Sequence, residues 1–73
     1  MKVKKGIYKH FKRGKYKVLG VGKHSETLEE YVIYEALYKN ELSKLWVRPI
    51  NLFTDYKEID GKKVKRFEYI GKK

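Results

Sequence analysis

Thr27-Leu28-Glu29-Glu30-Tyr31-Val32-Ile33-Tyr34-Glu35-Ala36-Leu37-Tyr38-Lys39-Asn40-Glu41-Leu42 decides the fold of this chain, because its signals for helix and strand conflict. Thr27 and Glu30 have the spacing of a capping box, and Glu29, Glu30, Glu35, Ala36, Leu37 and Leu42 are tolerated or favoured in helices. A helical stripe through Leu28, Tyr31, Val32, Glu35 and Ala36 would turn Glu35 toward the core, however. The run Tyr31-Val32-Ile33-Tyr34 is aromatic and β-branched. Alternation puts Val32, Tyr34, Ala36 and Tyr38 on one face and Tyr31, Ile33, Glu35 and Leu37 on the other, which leaves Glu35 open to solvent. The segment reads as a strand; a helix at 27–42 within an α+β fold is the alternative.

On either side lie further short runs rich in Tyr, Val, Ile and Phe. Ile7–Phe11 comes first, and Arg13-Gly14-Lys15 turns the chain into Tyr16–Val21. Across Lys15–Lys23, alternation groups Lys15, Lys17, Leu19, Val21 and Lys23 against Tyr16, Val18, Gly20 and Gly22; the two glycines predict a bend or bulge. His24–Glu30 is polar and reads as a loop. Leu45–Arg48 stops at Pro49, which has no N–H to give a ladder. Asp60-Gly61, between Tyr56–Ile59 and Val64–Ile70, is a hairpin signal. These elements predict a mostly β domain: a small SH3-like antiparallel barrel of five or six short strands, with a single helical turn near residues 50–54. The expected limits are a disordered basic tail at 1–5, one barrel domain at 6–70 and a disordered tail at 71–73.

Composition narrows the function. At 73 residues the chain holds one domain, and no cysteine is present. A TIM barrel, at about 250 residues, is excluded. So are a disulfide framework, thiolate chemistry and a Cys-based zinc site. No apolar stretch reaches the roughly 18 residues that span a bilayer, so no membrane partner and a cytoplasmic location are expected. Lys and Arg number 19 against 9 Asp and Glu, a formal charge of +10. The charge is uneven. Residues 1–24 carry nine bases and no acid, residues 25–60 carry eight acids and four bases, and residues 61–73 carry six bases and one acid. Two basic ends around an acidic middle point to an anionic partner, nucleic acid or an acidic protein; a solubilising lysine surface explains the same composition.

Gly6-Ile7-Tyr8-Lys9-His10-Phe11-Lys12, Tyr16-Lys17-Val18-Leu19-Gly20-Val21 and His24-Ser25-Glu26-Thr27 resemble a bacterial family of small uncharacterised domains. The resemblance continues through Val32-Ile33-Tyr34-Glu35-Ala36-Leu37-Tyr38 and Leu45-Trp46-Val47-Arg48-Pro49-Ile50-Asn51-Leu52-Phe53, covering roughly residues 6–70. It implies a compact β-rich domain and transfers no activity. Arg13 stands where the family commonly has glycine, Gly22 where alanine is usual and Leu52 where methionine is usual.

Individual motifs favour binding over catalysis. In extended geometry His24 and Glu26 share a side, yet no nucleophile or oxyanion donor cluster accompanies them, so an enzyme is not expected. Ser25 and Thr27 also suit a capped turn. His10, His24 and Glu26 lack the spacing of a tight ligand pair, and no metal is expected. Gly20-x-Gly22 lacks the rest of a dinucleotide or P-loop fingerprint, so no cofactor is expected. Trp46 and Arg48 share one side of their strand. Facing outward, they would line a groove with His10, His24, Glu26 and Tyr34 suited to a peptide; facing inward, Trp46 is core. Tyrosines interleaved with lysines also occur on nucleic-acid platforms. The reading that follows is a basic binding module contacting RNA or DNA phosphates through Lys9, Lys12, Arg13, Lys15, Lys17, Lys65 and Arg66, with Trp46 and Tyr34 as stacking platforms. The alternative is a protein or peptide module using the groove around Trp46, Arg48 and the His24–Thr27 loop.

Overall fold

The conflict at residues 27–42 resolves as strand. A computed structural model describes residues 3–12, 14–39 and 41–72, and in it Glu30–Ala36 is a strand, β3, flanked by two others. The elements before it are β1 (Gly6–His10) and β2 (Lys15–Lys23); after it come β4 (Leu45–Pro49), the one-turn helix α1 (Ile50–Phe53), β5 (Tyr56–Ile59), β6 (Lys62–Lys65) and β7 (Phe67–Gly71). All strand pairs are antiparallel, forming a five-stranded sheet in the order β4-β3-β2-β1-β7 and a separate two-stranded sheet of β5 and β6. The mostly β architecture and the helical turn match the sequence reading.

The sheet does not close into a barrel. β4 and β7 are its edges, with no ladder between them among the described residues. It curls instead, so that side chains from opposite edges meet over its concave face: the Arg48 guanidinium of β4 lies 5.6 Å from the ring centre of Phe67 on β7. The gap is filled by α1, whose Phe53 is 1% exposed and stacks on Phe67 at 4.1 Å and 5°. Tyr8, Val18, Val32 and Tyr34 complete the core with them. Burying so many rings compensates for the small size of the domain, since each aromatic removes a large area from water. Val3 also joins this core at 2% exposure, three residues ahead of β1.

Two local features depart from simple alternation. The register between β2 and β3 shifts between Val18 and Gly20, making Leu19 a bulge residue. The extra residue inverts the alternation beyond it, so Val21, grouped above with the lysines, pairs with Val32 and packs on the core. The run after Asp60-Gly61 is likewise not one strand. Asp60 and Gly61 take φ of 51° and 78°, the left-handed pair of a tight hairpin turn joining β5 to β6. At Arg66 the chain then changes sheets. Arg66 Nε and Nη2 donate to both Asp55 carboxylate oxygens at 2.7 and 3.0 Å, its N–H donates to the Asp55 carbonyl, and its carbonyl accepts from the Phe11 N–H. That clamp ends β6 and starts β7 beside β1. Among the described residues no helix is long and apolar enough to cross a membrane.

Candidate functional site

Residues directly opposed in an antiparallel ladder share a face. Applied to the register, this separates the lysines from the rings. Lys9 opposes Lys15, Ile7 opposes Lys17 and Lys17 opposes Glu35, which places Lys9, Lys15 and Lys17 together on the convex face. Tyr8 opposes Tyr16, Val18 opposes Tyr34 and Tyr34 opposes Trp46 on the concave face. Beside Lys17 a shallow cleft is lined by Lys5, Gly6, Val18, Leu19 and Lys72. Lys5 and Lys72 come from the two ends of the chain, assigned above to tails. They meet here because β1 lies between β2 and β7. Acids on this face are few: Glu68 opposes Lys9, and Glu35 is held by the Lys44 ammonium at 3.2 Å.

The other cations expected at phosphates are dispersed. Arg66 is committed to Asp55, whose carboxyl the guanidinium holds below its ordinary range. Lys65 sits on β6 at the mouth of a different cavity. Lys12 follows β1 with its ammonium 5.9 Å from the Phe11 ring centre. Arg13 lies outside the described residues.

On the concave side, four of the six groove candidates come together. Arg48 Nε donates to the Tyr34 hydroxyl at 3.4 Å, and Trp46 opposes Tyr34 across the β3–β4 ladder. The His10 ring meets Phe67 edge-on at 4.8 Å. Burial, then the charges of Arg48, Arg66 and Lys12, push the His10 imidazole below its ordinary range. Its Nδ1 accepts the Lys12 N–H at 3.2 Å, so its proton resides on Nε2. Beside it the Tyr16 and Tyr38 hydroxyls are 2.6 Å apart, and burial first, then that hydrogen bond, raises the Tyr16 phenol. Trp46 faces inward, with its indole Nε1 buried and lacking a hydrogen-bond partner among the described residues. Its neighbours Leu45 and Val47 are 56% and 62% exposed, so the outward side of β4 is the apolar one.

His24 and Glu26 stand apart from that cluster. His24 Nδ1 accepts the N–H groups of Glu26 and Thr27 at 3.2 and 3.3 Å, Thr27 Oγ1 accepts the Glu29 N–H, and the His24 carbonyl accepts the Leu28 N–H. The string His24-Ser25-Glu26-Thr27 thus caps its own turn, with the imidazole in the part usually taken by Asp or Ser. Among the described residues no three His, Asp or Glu side chains group as metal ligands, so His10, His24 and Glu26 do not assemble. The His24 ring instead edges a shallow apolar cleft of about 420 Å³ with Gly22, Lys23, Tyr31, Ile33 and Val47. Sequence reasoning missed Lys5 and Lys72 at the basic cleft and Tyr31, Ile33 and Val47 at the apolar one. Alternation in β3 and β4 carried a signal for the second group; only the β1–β7 pairing identifies the first.

No curated protein matches the chain. A crystal structure of a DUF1653 protein from Bordetella bronchiseptica is similar to it with a TM-score of 0.90 at 27% identity, over 96% of this chain and 90% of that one. The family model described as "Protein of unknown function (DUF1653)" matches residues 6–69, nearly the full span of the fold. The chain belongs to the DUF1653 family.

Proposed function

We propose that this domain is a cytoplasmic binding module that holds RNA or DNA against the convex face of β2, β1 and β7. The observation that carries the reading is the cleft where Lys5, Lys17 and Lys72 converge, continued along the strands by Lys9 and Lys15. Lysines held on a rigid sheet keep a fixed spacing, and a one-signed patch concentrates phosphates within about a Debye length. Ammonium groups of this kind contact phosphates rather than base edges, so binding is expected to be indifferent to sequence. Anisotropy titrations with labelled single- and double-stranded oligonucleotides test this. Binding at low salt should weaken with a log–log slope of about −0.7 per phosphate neutralised on single strands. An absence of binding at low salt removes the reading.

A protein-interaction role has a separate observation in its favour, the apolar cleft of Tyr31, Ile33 and Val47. Val47→Asp should abolish partner capture there and leave oligonucleotide binding unchanged.

A further inference from the structure

One cavity opens off the aromatic core of the concave face. A partly open space of about 240 Å³ is lined by Val3, Tyr8, Phe53, Thr54, Phe67 and Tyr69 together with Lys4 and Lys65. The walls are aromatic: Tyr8 meets Phe53 and Tyr69 edge-on, both at 5.4 Å, and Phe53 stacks on Phe67. Val3 and Lys4 contribute to its lining, and the Tyr8 hydroxyl donates to the Lys4 carbonyl at 2.9 Å. The Thr54 hydroxyl donates to the Ile50 carbonyl. The Tyr8 and Thr54 protons are therefore spent within the protein, which leaves the Tyr69 hydroxyl and the two ammonium groups as the side-chain donors lining the space. The Lys4 ammonium rests 5.3 Å from the Tyr69 ring centre, and among the described residues neither Lys4 nor Lys65 is in an ion pair. Among the described residues no acid lines the space.

We infer that this cavity binds a small carboxylic acid carrying a single aromatic ring, with the ring among Tyr8, Phe53 and Tyr69 and the carboxylate between Lys4 and Lys65. Size sets the class. An apolar cavity of roughly 150 Å³ accommodates benzene, so this one has room for a ring and a short acid arm. Charge sets the head group, because two ammonium groups without acids favour an anion and repel an amine.

Phenylacetate, phenethyl alcohol and phenethylamine share the ring and differ in the head group. Each is titrated into the full chain while nitrogen–proton correlation spectra are recorded. Phenylacetate should give saturable shifts centred on Val3, Tyr8, Phe53 and Tyr69, and the alcohol should bind roughly tenfold more weakly, the scale of one charge-assisted hydrogen bond. The amine should not bind. In the exposed double variant Lys4→Gln with Lys65→Gln, phenylacetate should fall to the level of the alcohol while the remaining spectrum stays in place. Equal binding of acid and alcohol, an undiminished preference in the double variant, or shifts centred on Lys5, Lys17 and Lys72 would overturn the inference. So would the lack of saturable shifts with any of the three.

Discussion

The two faces of the five-stranded sheet are built from the same strands and do opposite work. On the concave face, Tyr8, Tyr16, Val18, Val32, Tyr34 and Phe67 bring rings and branched chains together around Phe53. On the convex face, the alternate positions of those strands are Lys9, Lys15, Lys17 and the Lys5–Lys72 cleft. The difference teaches that the net charge of +10 is tolerated because the sheet sorts it outward, leaving the described core free of buried polar or charged residues. Self-repulsion then acts across a solvated surface, where screening is strong.

The largest blow to this division of labour is Phe53→Ala, which removes the ring linking α1 to Tyr8 of β1, Tyr34 of β3 and Phe67 of β7. A loss of about 3–5 kcal/mol is expected, a large share of the stability of so small a domain. Urea unfolding followed by Trp46 fluorescence measures it; a loss below about 1 kcal/mol would mean the concave face is not the core.

Gly6→Ala comes next and tests the joint between the faces. Gly6 has φ of 144°, and an added Cβ would sit 2.6 Å from the Gly71 carbonyl oxygen and 2.8 Å from Tyr69 Cε1. About 1–3 kcal/mol should be lost through backbone strain and clash. Because the clash parts β1 from β7, the salt-dependent oligonucleotide binding should weaken as well. Intact binding in this variant would separate the basic cleft from the strand pairing.

Acid should act on the concave side in two stages. His10 titrates below its ordinary 6.5 in the folded state, so the unfolded chain binds the proton first, and stability falls as pH drops through and below that value. Asp55 is held below its ordinary 3.8, so a further loss follows as its carboxylate is protonated. Thermal melts against pH should show the first stage vanish in His10→Gln and the second persist.

The smallest structural effect belongs to Lys15→Glu with Lys17→Glu. Stability should stay within about 0.5 kcal/mol, as for surface positions generally, while oligonucleotide binding falls by about tenfold or more. A double variant that unfolds would erase the contrast between the faces.

Much of this fold was legible in the chain. The Tyr31–Tyr34 run outweighed the helix formers around it because burial of alternating β-branched and aromatic residues exceeds the few tenths of a kcal/mol per residue that separate helix propensities, so β3 follows from its own residues. Asp60-Gly61 and the turn before Thr54 are equally local. The bulge at Leu19 was visible as a pair of glycines but not as a face inversion, since only the pairing with β3 shows which residue is extra. Arg66 looked like one more basic residue until Asp55, eleven positions away, closed on it. Site legibility divides the same way. Lys9, Lys15 and Lys17 stand out by charge alone, whereas Trp46 is left between groove and core because alternation in β4 fits either orientation. Exposed Val47 and half-buried Trp46 reverse the usual preference for aliphatic interiors, with the indole packed against the core.

The position of β1 between β2 and β7 also bears on how the protein is made. A ribosome delivers β1 to β4 as one meander of short connections, with one flank of β1 unpaired. The partner for that flank, β7, is synthesised about sixty residues later, so the contacts that complete the sheet have the longest loops to close. Until then the nascent chain exposes the β1 edge and has Lys5 and Lys17 without Lys72. The basic cleft therefore depends on β7, and a chain stalled or clipped before residue 67 would carry most of the positive charge without the surface that organises it.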